Sequence, residues 1–251
     1  MTGIKRADMV VRQFPGTLVP GKKIIIMSVS GGKDSLAMWL MLYRTGTPNL
    51  IPVNFDGGWE WACAKVAIGK VEKITGLKCV YLGGPGLFDE GLKEKGWPRW
   101  NLRWCSGIKR DMMNLYVSSL RRGHPNYEVV TAIGVAYDER SRRKKPGMKL
   151  DTIILPLVEL KITERRALKI CARAGIDWGG YYMRHNRLSC WCCPWCRLDD
   201  WREMYSEEPE LWAKMKEMDK NAPRGRKFYW SRKNLRQMGK IFDVEQKQGI
   251  I

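Results

Sequence analysis

Short apolar runs alternate with longer stretches of helical period through the first half of the chain. Lys23–Ser30 (KIIIMSVS) is apolar and rich in β-branched residues, the pattern of a buried strand. Two glycines follow, and Asp34–Tyr43 (DSLAMWLMLY) predicts a helix ended by Gly46. Leu50–Phe55 predicts a second strand, closed by Asp56-Gly57-Gly58. Cys63–Thr75 predicts a helix stopped at Gly76, and Lys78–Leu82 and Tyr127–Val135 predict two more strands. Strands alternating with helices imply an α/β fold, a twisted parallel sheet with helices on both faces. Ligands of such sheets bind beyond the carboxyl ends of the strands. Past residue 150 the pattern changes. Thr163 is placed to cap a helix running to Ala174, with Ala167, Leu168, Cys171 and Ala172 on one stripe and Gly175 beyond it. A cysteine cluster comes next, then a charged segment rich in Trp and Met. The expected division is a sheet domain over residues 1–160 and a small helical, cysteine-bearing appendage over 161–251.

Composition narrows the partners. The 251 residues carry 45 Lys plus Arg against 26 Asp plus Glu, a formal charge of +19, which points to an anionic partner, nucleic acid being the commonest. Basic residues concentrate in two places: Arg140–Lys149 has six and Lys220–Lys240 has eight, neither with an acid. The second includes Phe228, Tyr229 and Trp230, rings able to stack on unpaired bases. No run approaches the roughly 18 apolar residues of a spanning helix, and the N-terminus lacks the apolar stretch of a signal peptide. Four of the eight cysteines fall between Cys190 and Cys196. That clustering suits metal ligation or redox chemistry in a reducing compartment rather than a disulfide framework, so a cytoplasmic protein is expected, with no membrane partner.

The strongest local signal is Ser28-Val29-Ser30-Gly31-Gly32-Lys33-Asp34-Ser35, where a strand turns into a helix. Two glycines let backbone approach an oxyanion, and N–H groups at the helix start point towards it. Ser30 and Ser35 supply hydroxyls, and Lys33 supplies a compact positive charge. The spacing is not that of a Walker loop.

This segment resembles the PP-loop of the adenine nucleotide α-hydrolase superfamily. Gly96-Trp97-Pro98, Arg103-Trp104-Cys105 with Lys109, Gly134–Glu139 followed by Arg142, Pro156–Glu159 and Arg187–Pro194 are similar to the PAPS reductase branch, in the same order, over roughly residues 20–215. The match is to the PAPS-reductase-like proteins common in phages and mobile elements. The resemblance implies ATP or an adenylyl nucleotide with Mg2+, its phosphates on Ser28, Ser30, Gly31, Gly32, Lys33, Asp34 and Ser35. Asp56 would lie near the nucleotide or its metal ion, Gly134 would let backbone meet ligand, and Asp138, Glu139 and Arg142 would line the pocket. Lys33, Asp34 and Ser35 are the expected catalytic residues.

Cys190, Cys193 and Cys196 are spaced so that one metal centre can be wrapped in a single turn of chain. Cys105 is the expected fourth ligand, a role the resemblance supports. Four thiolates fit a 4Fe–4S cluster or, alternatively, a structural Zn2+. Cys192 and His185 keep the ligand identity open, and Cys63, Cys79 and Cys171 are expected in the core. PAPS reductases also carry a catalytic cysteine near the C-terminus, and this chain has none after Cys196. The expected function is therefore adenylation of a substrate, for sulfur transfer to tRNA or DNA, with a cysteine desulfurase or another sulfur donor as partner. The alternatives are a sulfonucleotide reductase, and a nucleic-acid-binding module with a zinc staple and a non-catalytic nucleotide pocket.

Overall fold

The structure, a computed structural model, describes residues 17–139 and 153–251. Five parallel strands form one sheet: β1 (Ile24–Val29), β2 (Leu50–Asp56), β3 (Val80–Gly83), β4 (Val129–Ile133) and β5 (Ile153–Ile154). Their spatial order is β3-β2-β1-β4-β5. The chain winds outward from β1 to β3, then returns to β4 on the other side of β1. Crossovers running in opposite directions, right-handed by rule, put helices on both faces, the α/β architecture expected. The order reverses between β1 and β4, and the carboxyl ends of these two strands flank the crevice where doubly wound sheets bind ligands.

Helix α1 (Lys33–Arg44) follows β1, and residues 35 to 40 are all buried. A helix apolar all round its first turns must be covered on every side. Helices α2 (Ala62–Thr75), α3 (Leu87–Lys95) and α4 (Trp104–Gly123) come before β4, and α5 (Pro156–Glu159) and α6 (Glu164–Arg173) follow β5. Thr163 caps α6 as its sequence predicts, accepting a hydrogen bond from the Arg166 N–H. The buried stripe of α6 is Ala167, Ile170 and Cys171, and it packs on α1; Ala172 is exposed, one position off the expected stripe. Helix α7 (Tyr181–Arg184) is a single turn, and α8 (Leu198–Glu207), α9 (Pro209–Asn221) and α10 (Leu235–Lys247) complete the chain. Among the described residues no helix is long and apolar enough to cross a membrane.

The described residues fall into two compact units. The first takes the chain up to Asp56 with Trp61–Gly84 and Lys109–Leu188; the second takes Gly57–Glu60, Pro85–Ile108 and Ser189–Ile251. The sheet and α6 therefore share the first unit. The second unit has an aromatic core. Trp59 meets Phe88 at 5.2 Å and Trp97 at 5.7 Å between ring centroids, and Phe228 lies edge-on to Trp97 at 5.1 Å and to Trp201 at 5.4 Å. Three indole N–H groups find acceptors inside, Trp59 donating to Asp89, Trp97 to Asp219 and Trp104 to the Gly96 carbonyl, while that of Trp201 is buried without a partner. Asp219 also accepts the Phe228 N–H, so one carboxylate fixes two parts of this core. Phe228 is fully buried, a correction to its expected role as a stacking surface, whereas Tyr229 is 53% exposed. A Phe228→Ala variant is expected to lose about 3–5 kcal/mol in urea unfolding, against about 0.5 kcal/mol or less for Tyr229→Ala.

Candidate nucleotide site and cysteine cluster

The segment Ser28–Ser35 makes the turn from β1 into α1, at the crevice that the strand order creates. Gly31 has φ +78°, a region side chains rarely adopt, and a Cβ there would lie 2.8 Å from that of Ala64. A Cβ on Gly134, just past β4, would lie 2.8 Å from the backbone of Ser35. The approach of β4 to the start of α1 thus already requires a glycine here.

The two serines brace the loop. Ser35 Oγ donates to the Gly32 carbonyl at 2.9 Å and accepts from the Ser30 N–H at 3.1 Å. With the Ser35 proton spent, the Ser30 hydroxyl is the donor in their mutual bond of 3.2 Å. Ser30 Oγ also accepts from the Gly32 N–H. Where the sequence suggests hydroxyls donating to phosphate, hydroxyl oxygens here occupy loop N–H groups that a phosphate oxygen could accept from.

A segment with no sequence forecast completes this site. Trp178, Gly179 and Gly180 all have positive φ, +53°, +64° and +80°, and the left-handed bend turns the chain back under the loop. Trp178 donates its indole N–H to the Gly31 carbonyl at 2.7 Å, and Tyr182 Oη accepts the Lys33 N–H at 3.0 Å. The glycine pair was the available signal. A bulky residue at positive φ is uncommon, and it persists only where its surroundings fix it.

Lys33 is 7% exposed. Its ammonium meets Glu164 at 2.8 Å, the Asn186 carbonyl at 3.1 Å and Asp34 at 3.5 Å, and it lies 5.3 Å from the Tyr182 ring centre. Glu164, the first residue of α6, is the other site residue that the sequence did not single out. Asp34 is held between opposing influences. Burial pushes its carboxyl up to about 6, Lys33 pulls it down, and Glu139 and Glu164 push it further up. Asp34 Oδ1 is buried with no hydrogen-bond partner. This is the arrangement of a carboxylate whose charge is under-compensated by the protein and would be satisfied by a cationic ligand.

The remaining predicted residues divide. Asp56 ends β2 as expected and pairs with Lys65 at 2.6 Å. Asp138 accepts the Glu164 N–H at the start of α6, and Glu139 folds back onto the Ala136 N–H. Glu139 still acts on Asp34 through its charge, so Lys33, Asp34, Glu139 and Glu164 form one electrostatic group. Arg142 and the basic run Arg140–Lys149 lie outside the described residues. Cys171 is buried, donates its thiol to the Lys33 carbonyl at 3.4 Å, and is pushed up to about 12 by burial. His185 stacks on Tyr181 in the same unit, its ring centre 4.1 Å away.

All four predicted metal-ligating cysteines belong to the second unit. Cys190, Cys193 and Cys196 lie on successive turns: the Cys193 N–H donates to the Cys190 carbonyl and the Cys196 N–H to the Cys193 carbonyl. Cys193 and Cys196 share a hydrogen bond between their thiols, and Ser189 Oγ lies 3.3 Å from Cys196 Sγ. Cys105 is in the first turn of α4. Two residues before it, Arg103 lays its guanidinium 4.5 Å over the ring of Trp195, the neighbour of Cys196. Cys192 is fully buried and its thiol is pushed up by that burial, so it packs inward while the other four are half-buried. Among the described residues no three His, Cys, Asp or Glu side chains already converge as a metal-holding group. The donor set itself, thiols with no carboxylate, is that of a soft thiolate-bound centre.

The state of Asp34 sets a pH dependence. Its folded value, about 6, is above its unfolded value of 3.8, so the folded protein holds the extra proton between them. Asp34 therefore costs nothing below about pH 4, opposes folding increasingly between about pH 4 and 6, and holds at roughly 2–3 kcal/mol above that. Asp34→Asn is expected to melt higher than the parent at pH 8, with the gap closing towards pH 4 in a series of thermal melts.

No family model matches the chain. Among curated proteins it is similar to the uncharacterized protein MJ0066 of Methanocaldococcus jannaschii, with 27% identity over 202 residues, 77% of this chain. The chain spans 41% of the length of that relative. Among solved structures it can be superposed on a U34-tRNA thiolase from Methanococcus maripaludis, carrying a 4Fe–4S cluster. That superposition has a TM-score of 0.46 and 18% identity, over 94% of this chain and 76% of the other.

Proposed function

We propose that the chain is a PP-loop enzyme of the PAPS reductase-like kind, which adenylates a substrate with ATP and Mg2+ and so prepares it for sulfur transfer to nucleic acid. The observation that carries this reading is the loop at the sheet's switch point, where the tight Gly31-Gly32 turn lies beside a buried lysine and an under-compensated aspartate. A substrate oxygen attacks the α-phosphate, the bond between the α-phosphorus and the bridging oxygen breaks, and pyrophosphate leaves. A sulfur nucleophile then attacks the activated carbon and AMP departs with the original oxygen. The protein's part is positioning and charge. Lys33 exchanges its bond to Glu164 for a phosphate oxygen, and the N–H groups of Gly32 and Lys33 turn from hydroxyl partners to phosphate. Asp34 and Asp56 favour the accompanying cation.

Cys190, Cys193, Cys196 and Cys105 would hold a 4Fe–4S centre. With all four thiolates bound every iron would be occupied, so such a centre would offer an iron to sulfide only where one of the four thiolates is released. A cysteine desulfurase or a comparable donor would deliver the sulfur. The nucleic-acid acceptor follows from the charge of +19 and from the basic segment Lys220–Lys240.

With ATP labelled at the α-phosphate, the parent is expected to release AMP and pyrophosphate in the presence of acceptor. Lys33→Ala and Asp34→Ala should each lower that release about a hundredfold or more, while salt-sensitive nucleic-acid binding survives. Unchanged turnover in both would remove the loop from the mechanism. For the cysteines, protein purified without oxygen should contain iron and acid-labile sulfide near four of each per chain, both lost in Cys190→Ala or Cys193→Ala. One zinc and no iron would reduce the cysteines to a structural staple.

A further inference from the structure

Outside the phosphate loop, the second unit contains a cleft of about 740 Å³ built by three separate stretches, 97–100, 194–196 and 227–232. Its volume falls in the range of small-molecule sites, and five of its twelve lining residues are aromatic. Trp100 is 83% exposed and Tyr229 53% exposed, so two large rings face solvent although neither helps close the core. Trp195 and Trp230 line the same cleft and are half-buried. Trp230 is held in place: its indole N–H donates to the Cys196 carbonyl at 3.0 Å. Arg103, stacked over Trp195, holds that ring from its own side.

The charge on the cleft has one sign. Its lining includes Arg99, Lys227 and Arg232 and no acidic residue. Lys227 is engaged in structure, donating to the carbonyls of Asp219, Lys220 and Ala222 at the end of α9. Arg99 gives one N–H to the Gly225 carbonyl at 2.6 Å, which leaves most of its five donors for a ligand. Arg232 sits on a two-residue turn closed by two 2.8 Å bonds between Trp230 and Lys233. Both turn residues have positive φ, +45° at Ser231 and +70° at Arg232. Such turns ordinarily take Asn-Gly, and side chains kept in this conformation signal a use for what they present.

We propose that this cleft binds unpaired bases of a single-stranded nucleic acid, which stack on Trp100 and Tyr229 while Arg99 and Arg232 meet the strand's phosphates. Rings without hydrogen-bonding selectivity, flanked by cations and with no carboxylate, are the chemistry by which proteins hold single strands. A duplex hides the faces that these rings require. Cys196 forms part of the same wall, so a base stacked here has an edge beside one of the thiols assigned to the metal centre. The inference deepens the proposed function, on which the acceptor is nucleic acid, by specifying its unpaired form and its place on the protein.

The test is fluorescence anisotropy of the full chain with a labelled single-stranded RNA of mixed sequence, alone and annealed to its complement. Single strand should bind more tightly than duplex. Trp100→Ala and Tyr229→Ala should each weaken single-strand binding roughly tenfold, and Trp100→Phe should restore most of it. Arg232→Gly should raise the melting temperature by relieving the turn, yet weaken binding and flatten the salt dependence. Equal affinity for single and double strands, or unchanged binding in both alanine variants, would overturn the proposal, leaving the cleft to another kind of partner. Lys33→Ala serves as the independent arm. If it abolishes AMP release while these binding differences persist, both readings stand; if AMP is never formed but the differences persist, only the adenylation reading fails.

Discussion

The buried ammonium of Lys33 is the contact around which the first unit is organised. It gathers Glu164 from α6, the Asn186 carbonyl from beyond α7 and Asp34 from its own helix. A buried charge must be paired and hydrogen-bonded to be tolerated at all, so the segments that supply those partners have to arrive together. The same requirement explains the surrounding detail. Trp178 and Tyr182 fasten the loop from below, Cys171 donates to the Lys33 carbonyl, and Gly134 lets β4 close on the start of α1. The loop is therefore a junction of four parts of the chain, and its polar groups are engaged from several directions.

Much of this was legible before any coordinates. Strands β1 to β4 announced themselves because parallel strands covered on both faces read as continuous apolar runs, whereas the two-residue, half-buried β5 gave no such run. Thr163 and Gly76 marked helix ends through local chemistry that needs no tertiary partner. Helix α4 carried no such mark: its twenty residues mix charge and apolar groups. The partners of Lys33 were hidden for a different reason. Glu164 and Asn186 are brought to it from more than a hundred residues away, and only the fold puts them there. Phe228 misled because a ring within a basic segment looks like a contact surface. Its burial depends on Trp97 and Trp201, which no local pattern reveals.

The second unit solves a different problem. It has no sheet of its own among the described residues and few aliphatic side chains, and it fills its interior with indole and phenyl rings set edge to face. Aromatic pairs of this kind add to the area they bury, and each indole still needs an acceptor for its N–H. Asp89, Asp219 and the Gly96 carbonyl meet that need for Trp59, Trp97 and Trp104, and Trp201 buries its N–H without an acceptor. With rings supplying the packing, the half-buried cysteines of the 190–196 run are left for chemistry, and Cys192 alone of that run is spent on the interior.

The uncompensated oxygen of Asp34 has a consequence for how this protein would change under selection. A population screened only for tolerance to heat at neutral pH would discard that carboxylate early, because the fold holds together better without its charge. If the carboxylate favours the nucleotide's cation as proposed, a population screened for turnover would keep it at every round. The two histories would part at a single position in the first turn of α1, and sequences that had drifted free of function would be recognisable there first.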